Sequence, residues 1–404
     1  MTETSGLEAL ASGAILSPFT RLRRLLEGVP SGHAKPIELT VGEPRETMPS
    51  FVADKLKEAE AEYAKYPAIR GSDELRGAIA RWFSRRYGVA TAVDPAREIL
   101  PLNGSREGLF YAAIPAAGRK RVEGRQAVLL PNPYYGAYIG AALAVGAEPV
   151  HLNATEATGH LPDLDRLAGD PSLLDRVIAF YLCSPANPQG SVADATYVRR
   201  ALDLARAHDF MLFFDECYSE IYSGEPPPGG LEVAASTPQR FANIVVFNSL
   251  SKRSNLPGLR SGFVAGDAAF LDSFAEVRNL IAPQVPGPTQ HASAAVWDEE
   301  QHVAVNRRSF RAKLDVCDEV LAGRLGYKRP AGGFFLWLDM EQFGGGEQAA
   351  VTLWQRCGVK VVPGAYLAQP DSEGINPGTK YVRVALVQDA ATIREALERI
   401  VSQC

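Results

Sequence analysis

The run FMLFFDECY (210–218) is followed, one apolar segment later, by SLSKRSNLPGLRSGF (249–263). The stretch from Phe210 to Phe214 has the length and aromatic content of a strand buried on both faces, and Asp215 and Glu216 end it at once. A second such run, NIVVF (243–247), stops just short of Ser249, Ser251 and Lys252. A carboxylate and an amine therefore leave the ends of two neighbouring strands. In open α/β sheets ligands bind outside the carboxyl ends of the strands, so these exits are where chemistry is expected.

Working outward, short apolar runs recur at AVLL (127–130), PVHL (149–152) and VIAFYLC (177–183), separated by helix-like stretches such as residues 195–208. That alternation predicts an α/β fold with a mostly parallel sheet flanked by helices, a large domain over residues 50–285. From Pro286 the pattern becomes one long helix through Val320, then GGFFLWLDM (332–340), VKVVPG (359–364) and YVRVAL (381–386). These suggest a smaller α+β domain made of residues 286–404 with residues 1–49 returning to it.

Composition excludes several classes. A chain of 404 residues with net charge −5 lacks the positive excess that neutralises a phosphate backbone, so no nucleic-acid partner is expected. The uncharged stretch 126–147 is broken by Pro131, Asn132 and Pro133 and is too short beyond them to span a bilayer, and no membrane association is expected. Arg21, Arg23 and Arg24 follow the modest N-terminal apolar segment instead of preceding it, which argues against a signal peptide. Five cysteines without tight spacing read as reduced thiols in a cytoplasmic protein, with Cys183 and Cys217 as small buried hydrophobes and no metal site.

Each strand exit carries suggestive residues. After EILPL come Asn103, Gly104, Ser105 and Arg106 at a helix start, where free N–H groups suit an anion; a simple helix cap by Ser105 is the alternative. After AVLL, Tyr134, Tyr135 and Tyr138 crowd a turn and either stack on a flat ligand or merely pack. After VIAFYLC, Asn187 either donates its amide to a ligand oxygen or serves a turn with Pro188 and Gly190. Ser249, Ser251 and Arg260 match the acceptor oxygens of a phosphate. Arg383 interrupts an apolar strand and needs either a substrate carboxylate or a structural ion pair. A shielded lysine is a nucleophile for an aldehyde, and a buried carboxylate stabilises a protonated pyridine nitrogen, so Lys252 with Asp215 points to pyridoxal 5′-phosphate.

Taken together, Gly42, Tyr66, Ser105, Tyr135, Asn187, Asp215, Tyr218, Ser249, Ser251, Lys252, Arg260 and Arg383 fall in an order and spacing that resembles the fold type I aminotransferases over nearly the whole chain. The resemblance implies that Lys252 binds the cofactor covalently and shuttles the substrate's proton, that Asp215 pairs with the pyridine nitrogen, and that Asn187 and Tyr218 hydrogen-bond the ring oxygen. It places Tyr135 on the ring, and Ser105, Arg106, Ser249, Ser251 and Arg260 on the phosphate. Tyr66, in KYPAIRG, would reach the phosphate of a neighbouring subunit in a homodimer, and Gly42, Asn187 and Arg383 would receive the α-carboxylate of amino acid and keto acid substrates.

The strings DECYSEIY, PNPYYGAYIGAALAVGAEP, SLSKRSNLPGLRSGFVAGDA, AVWDEEQHV and NPGTKYVRVALV look like the N-succinyl-LL-diaminopimelate aminotransferase branch, which works in lysine and cell-wall precursor synthesis with glutamate and 2-oxoglutarate. Alternatives are a transaminase or lyase for another amino acid, such as aspartate, an aromatic residue or LL-diaminopimelate. A non-catalytic regulator is disfavoured by the short leader before Gly42, which leaves no room for a helix-turn-helix head. Two departures stand out. The family's Asn-Pro-Thr-Gly is Asn187-Pro188-Gln189-Gly190 here, and Ala282 replaces the second arginine that aspartate aminotransferases use for a distal carboxylate.

Overall fold

Seven strands build the main sheet: β1 (Ile99–Leu102), β2 (Ala127–Asn132), β3 (Glu148–Asn153), β4 (Val177–Cys183), β5 (Met211–Asp215), β6 (Ile244–Ser249) and β7 (Gly262–Gly266). They are seen in a computed structural model that describes residues 6–12, 15–88, 92–371 and 373–404. Across the sheet the order is β1-β7-β6-β5-β4-β2-β3. Strands β2 to β6 pair in parallel wherever they meet, and β7 runs antiparallel to both β1 and β6. The fold is α/β with a mostly parallel sheet between helices, as expected.

The side chains of β5 explain why helices cover both faces. Successive strand residues point to opposite sides. Leu212 and Phe214 join one apolar cluster with Trp82, Leu202 and Phe263, while Met211 and Phe213 join another with Leu109, Tyr138 and Phe270. With both faces apolar, only the strand ends are free to carry charge.

A second, antiparallel sheet has the order β9-β10-β8, from β8 (Phe335–Asp339), β9 (Val362–Pro363) and β10 (Tyr381–Ala385). Near it Ile37–Glu38 pairs in parallel with Val359–Lys360, which returns the N-terminal segment to the C-terminal half. Leu39, Phe310, Phe334, Leu353 and Leu397 form the apolar cluster of this part.

Three local features differ from the sequence expectation. The helical pattern after Pro286 is two helices, Gly287–Asp298 and Gln301–Leu321. Glu299 is extended between them, and its carboxylate accepts from the Gln301 and His302 amides at 2.6 and 3.1 Å, so it starts a new helix instead of continuing the old one. Ala294, Val296 and Trp297 of the first of these helices belong to the main-sheet cluster, beyond the expected boundary at 285. Strand β7 was not read from its sequence, being short and bounded by glycines. Gly266 has φ +140°, and a Cβ there would lie 2.3 Å from the Ile244 carbonyl, so the close strand approach requires glycine.

The uncharged stretch 126–147 is β2 followed by the helix Gly136–Ala144, as expected. Among the described residues no helix is long and apolar enough to cross a membrane. Phe213 is fully buried among Tyr181, Phe247 and Phe270, so Phe213→Ala should cost about 3–5 kcal/mol in denaturant unfolding.

Candidate active site

The strand ends meet along one edge of the main sheet. Cys183 at the end of β4 pairs in register with Asp215 at the end of β5, and Ser249 at the end of β6 pairs with Gly262, which also pairs with Leu102 at the end of β1. Because β7 runs backwards, its first residues lie beside the last residues of the other strands.

Asp215 is 5 % exposed and accepts hydrogen bonds from the Tyr138 hydroxyl at 2.6 Å and the Cys217 amide at 3.1 Å. Burial pushes its carboxyl up from the ordinary range, against the opposing pull of these donors. None of the ion pairs among the described residues includes Asp215, so this buried acid has neutral donors and, among the described residues, no cation partner. Tyr138 itself is held by stacking on Tyr181, 4.6 Å between ring centroids. Its hydrogen bond to Asp215 was not anticipated; the only signal was its place in a turn crowded with tyrosines.

Lys252 sits in the short helix Leu250–Arg253 immediately after β6. Its Nζ donates to the Gly42 carbonyl and lies 5.6 Å from the centre of the Phe334 ring. Burial brings its pKa down to about 8, with the Arg383 and Arg106 charges acting in the same direction. Gly42 is packed so tightly that a Cβ would fall 2.5 Å from the Phe335 ring.

Arg383, on β10, is 4 % exposed. Its Nη2 donates to the Thr40 carbonyl at 2.6 Å and its Nη1 to Asn187 Oδ1 at 3.1 Å, and the guanidinium lies over the Phe335 ring at 4.4 Å. Nε has no partner, and burial lowers the pKa to about 10. No carboxylate of the described residues pairs with it, which removes the structural ion pair as an explanation. Tyr218 packs edge-on against both Phe334 and Phe335.

The remaining residues form a cradle of hydroxyls, amides and one guanidinium. Ser105 opens the helix Ser105–Tyr111 after Gly104, whose φ is +82°. A Cβ at Gly104 would lie 2.2 Å from Arg260 Nη2, and one at Gly262 would lie 3.1 Å from the Ser105 amide nitrogen. Ser249 Oγ donates to Ser251 Oγ at 2.8 Å, and Cys217 Sγ lies 3.0 Å from Ser105 Oγ. Arg106 instead turns its Nε to the Tyr135 hydroxyl at 2.5 Å. Tyr66 stands apart: it is fully exposed and joins none of these side chains within the chain.

This donor set fits pyridoxal phosphate. The cradle matches an anionic phosphate, the buried acid without a cation matches a protonated pyridine nitrogen, and the softened amine matches an aldehyde. Without cofactor, Lys252 should react with an amine-selective reagent half-maximally near pH 8, well below an exposed lysine, as followed by mass spectrometry across a pH series.

Comparison with known proteins agrees with this chemistry. The family described as Aminotransferase class I and II matches residues 34–400. A protein of Moorella thermoacetica named LL-diaminopimelate aminotransferase is 30% identical over 389 residues, covering 95% of this chain and 94% of that one. The crystal structure of an aminotransferase from Neisseria meningitidis superposes with a TM-score of 0.90 at 39% identity, covering 96% of this chain and 97% of that one. A structure described as a probable N-succinyldiaminopimelate aminotransferase from Thermus thermophilus gives 0.82 at 27% identity, covering 96% of this chain and 100% of that one. The chain belongs to the class I and II aminotransferases and is a pyridoxal-phosphate-dependent transaminase.

Proposed function

We propose that the protein transfers an amino group between N-succinyl-LL-2,6-diaminopimelate and 2-oxoglutarate, with glutamate as the other amino acid. The observation that carries the choice of substrate is the segment after the helix Ala268–Ile281. Ala282 stands there in place of a cation, and Arg278, one turn earlier, is fully buried and committed to Glu107 at 2.9 Å and the Pro101 carbonyl at 2.8 Å. If Ala282 occupies the place of the aspartate enzymes' distal arginine, as the resemblance implies, a short dicarboxylate would lack its charge partner there, which favours a longer, acylated substrate. The likeness to the Thermus thermophilus structure supports the same reading. A second reading, LL-diaminopimelate itself, is favoured by the name of the Moorella thermoacetica relative.

In this reading Ser105, Ser249, Ser251 and Arg260, with the amides at the Ser105 helix start, hold the cofactor phosphate. Arg106 would add charge there while bracing Tyr135, which would stack on the ring. Asp215 would keep the pyridine nitrogen protonated, and Asn187 and Tyr218 would bind the ring oxygen. Bound there, pyridoxal phosphate supplies an electron sink for charge that develops at the substrate α-carbon. Arg383 and Gly42 orient the α-carboxylate, the fork of Arg383 through two parallel hydrogen bonds, with Asn187 beside it. Lys252 Nζ takes up the proton that leaves the α-carbon and later gives it back. Burial lowers the proton affinity of this amine and so favours its neutral, proton-accepting form.

The same reading includes a cytoplasmic homodimer in which the exposed Tyr66 serves the second subunit, in keeping with five free cysteines. It also divides the chain into a large cofactor domain over residues 50–285 and a small domain of residues 1–49 and 286–404; the packing of Trp297 with the main-sheet cluster favours a later boundary.

Glutamate formation from 2-oxoglutarate, measured side by side with the succinylated and free diaminopimelates, decides the substrate. The proposal expects kcat/KM at least about tenfold higher for the succinylated compound. The reverse preference replaces it with the second reading, and activity with neither removes both. Arg383→Lys keeps a charge but loses the fork, and should lower kcat/KM for every keto acid by about 10–100-fold, the worth of one charged hydrogen bond.

A further inference from the structure

Just behind Lys252 lies a buried polar network that the chemistry above does not use. Arg253 is 1 % exposed, an unusual state for an arginine. Its Nη1 donates to the Val296 carbonyl at 3.0 Å and to Ser254 Oγ at 3.3 Å. Its Nη2 donates to Glu300 Oε1 at 2.8 Å and to the Glu299 carbonyl at 3.4 Å, and the guanidinium lies over the Trp297 ring at 4.8 Å. The side chain therefore closes off the C-terminus of the helix Gly287–Asp298 and its break at Glu299.

The next two residues are gripped as well. His302 Nε2 is 2.8 Å from Ser254 Oγ, while its Nδ1 meets the Glu299 carboxylate. Asn306 donates to the Arg253 carbonyl at 3.1 Å, and Asn255, in the left-handed region at φ +54°, donates to Asn306 Oδ1 at 2.8 Å. Three consecutive residues after the amine-bearing one are thus tied to the start of the helix Gln301–Leu321 and the end of its predecessor. Surface turns next to strands need no such anchoring. Holding a flexible four-carbon amine in a near-attack position does, because small displacements of reacting groups cost orders of magnitude in rate.

We infer that Arg253 is a positioning residue for Lys252, and that with Asn306 and His302 it clamps the turn that aims the Lys252 amine at the reacting carbon. The inference rests on Lys252 being the cofactor-bound amine. Its physical content is that the clamp keeps the amine in its dry location. A loosened turn lets the amine reach water and titrate like an ordinary lysine.

The test uses Arg253→Lys, which retains the charge but cannot make the forked set of bonds. Asn306→Ala is the second variant, acting on the same turn without touching the guanidinium. Four quantities are measured on each: thermal midpoint, kcat, KM for 2-oxoglutarate, and the pH midpoint of Lys252 labelling in the cofactor-free protein. For folded variants the expected result is a fall in kcat of about tenfold or more with KM within about threefold. The labelling midpoint should also rise by about one pH unit or more. A lowered thermal midpoint with kcat and the labelling midpoint both unchanged would make the network merely structural and overturn the inference. If Arg253→Lys does not fold, Asn306→Ala is judged by the same criteria. Borohydride fixation of the cofactor on Lys252 of the unaltered protein is the control. Its failure removes the assignment of Lys252, whereas fixation together with unaltered variants removes only the role of Arg253.

Discussion

A charged group shut away from water must find an opposite charge or give up its own, and that constraint governs the site. Asp215 closes a strand whose side chains are apolar on both faces, and Tyr138 and Cys217 soothe its carboxylate with dipoles alone. Across the same edge Arg383 is buried over an aromatic ring, and Lys252 loses part of its proton affinity to the same dryness. One acid and two bases are each left short of a partner, which is a costly arrangement for a chain with nothing to bind. A zwitterionic cofactor and an amino acid substrate together supply the missing charges.

The site also depends on two sheets at once. Lys252, Asp215 and the phosphate cradle hang from the main sheet, whereas Arg383 belongs to the antiparallel sheet and Gly42 to the N-terminal segment beside it. The Lys252 to Gly42 and Arg383 to Asn187 hydrogen bonds join the two parts directly. Glycine at position 42 is what lets that segment close over the Phe335 ring and bring its carbonyl within reach of the amine.

Much of this is legible in the sequence. The apolar runs of β2, β4, β5 and β6 mark a parallel sheet because no polar residue interrupts them, and the chemistry then had to lie just past Asn132, Cys183, Asp215 and Ser249. Arg383 was conspicuous as a charge within an apolar strand. What escaped notice is what no period or composition announces. Strand β7 is five residues that begin and end in glycine, and its direction depends on pairing with partners far away in sequence. The break at Glu299 follows from a carboxylate choosing two amides over continued helix. Tyr138 reads as one more turn aromatic, and nothing in the sequence marks Arg253 as buried, because burial at such positions is decided by elements that arrive later in the chain.

The reversed course of β7 has an outcome for how such an enzyme can change. Ser249 and Gly262 are paired neighbours, so the twelve intervening residues leave the sheet and come back to it at the same point. That excursion carries the amine and the guanidinium of Arg260, yet no strand order depends on its interior. Its two ends are stapled to one place, but Arg253, Ser254 and Asn255 also grip residues 296–306, so an exchanged segment has to bring matching partners with it.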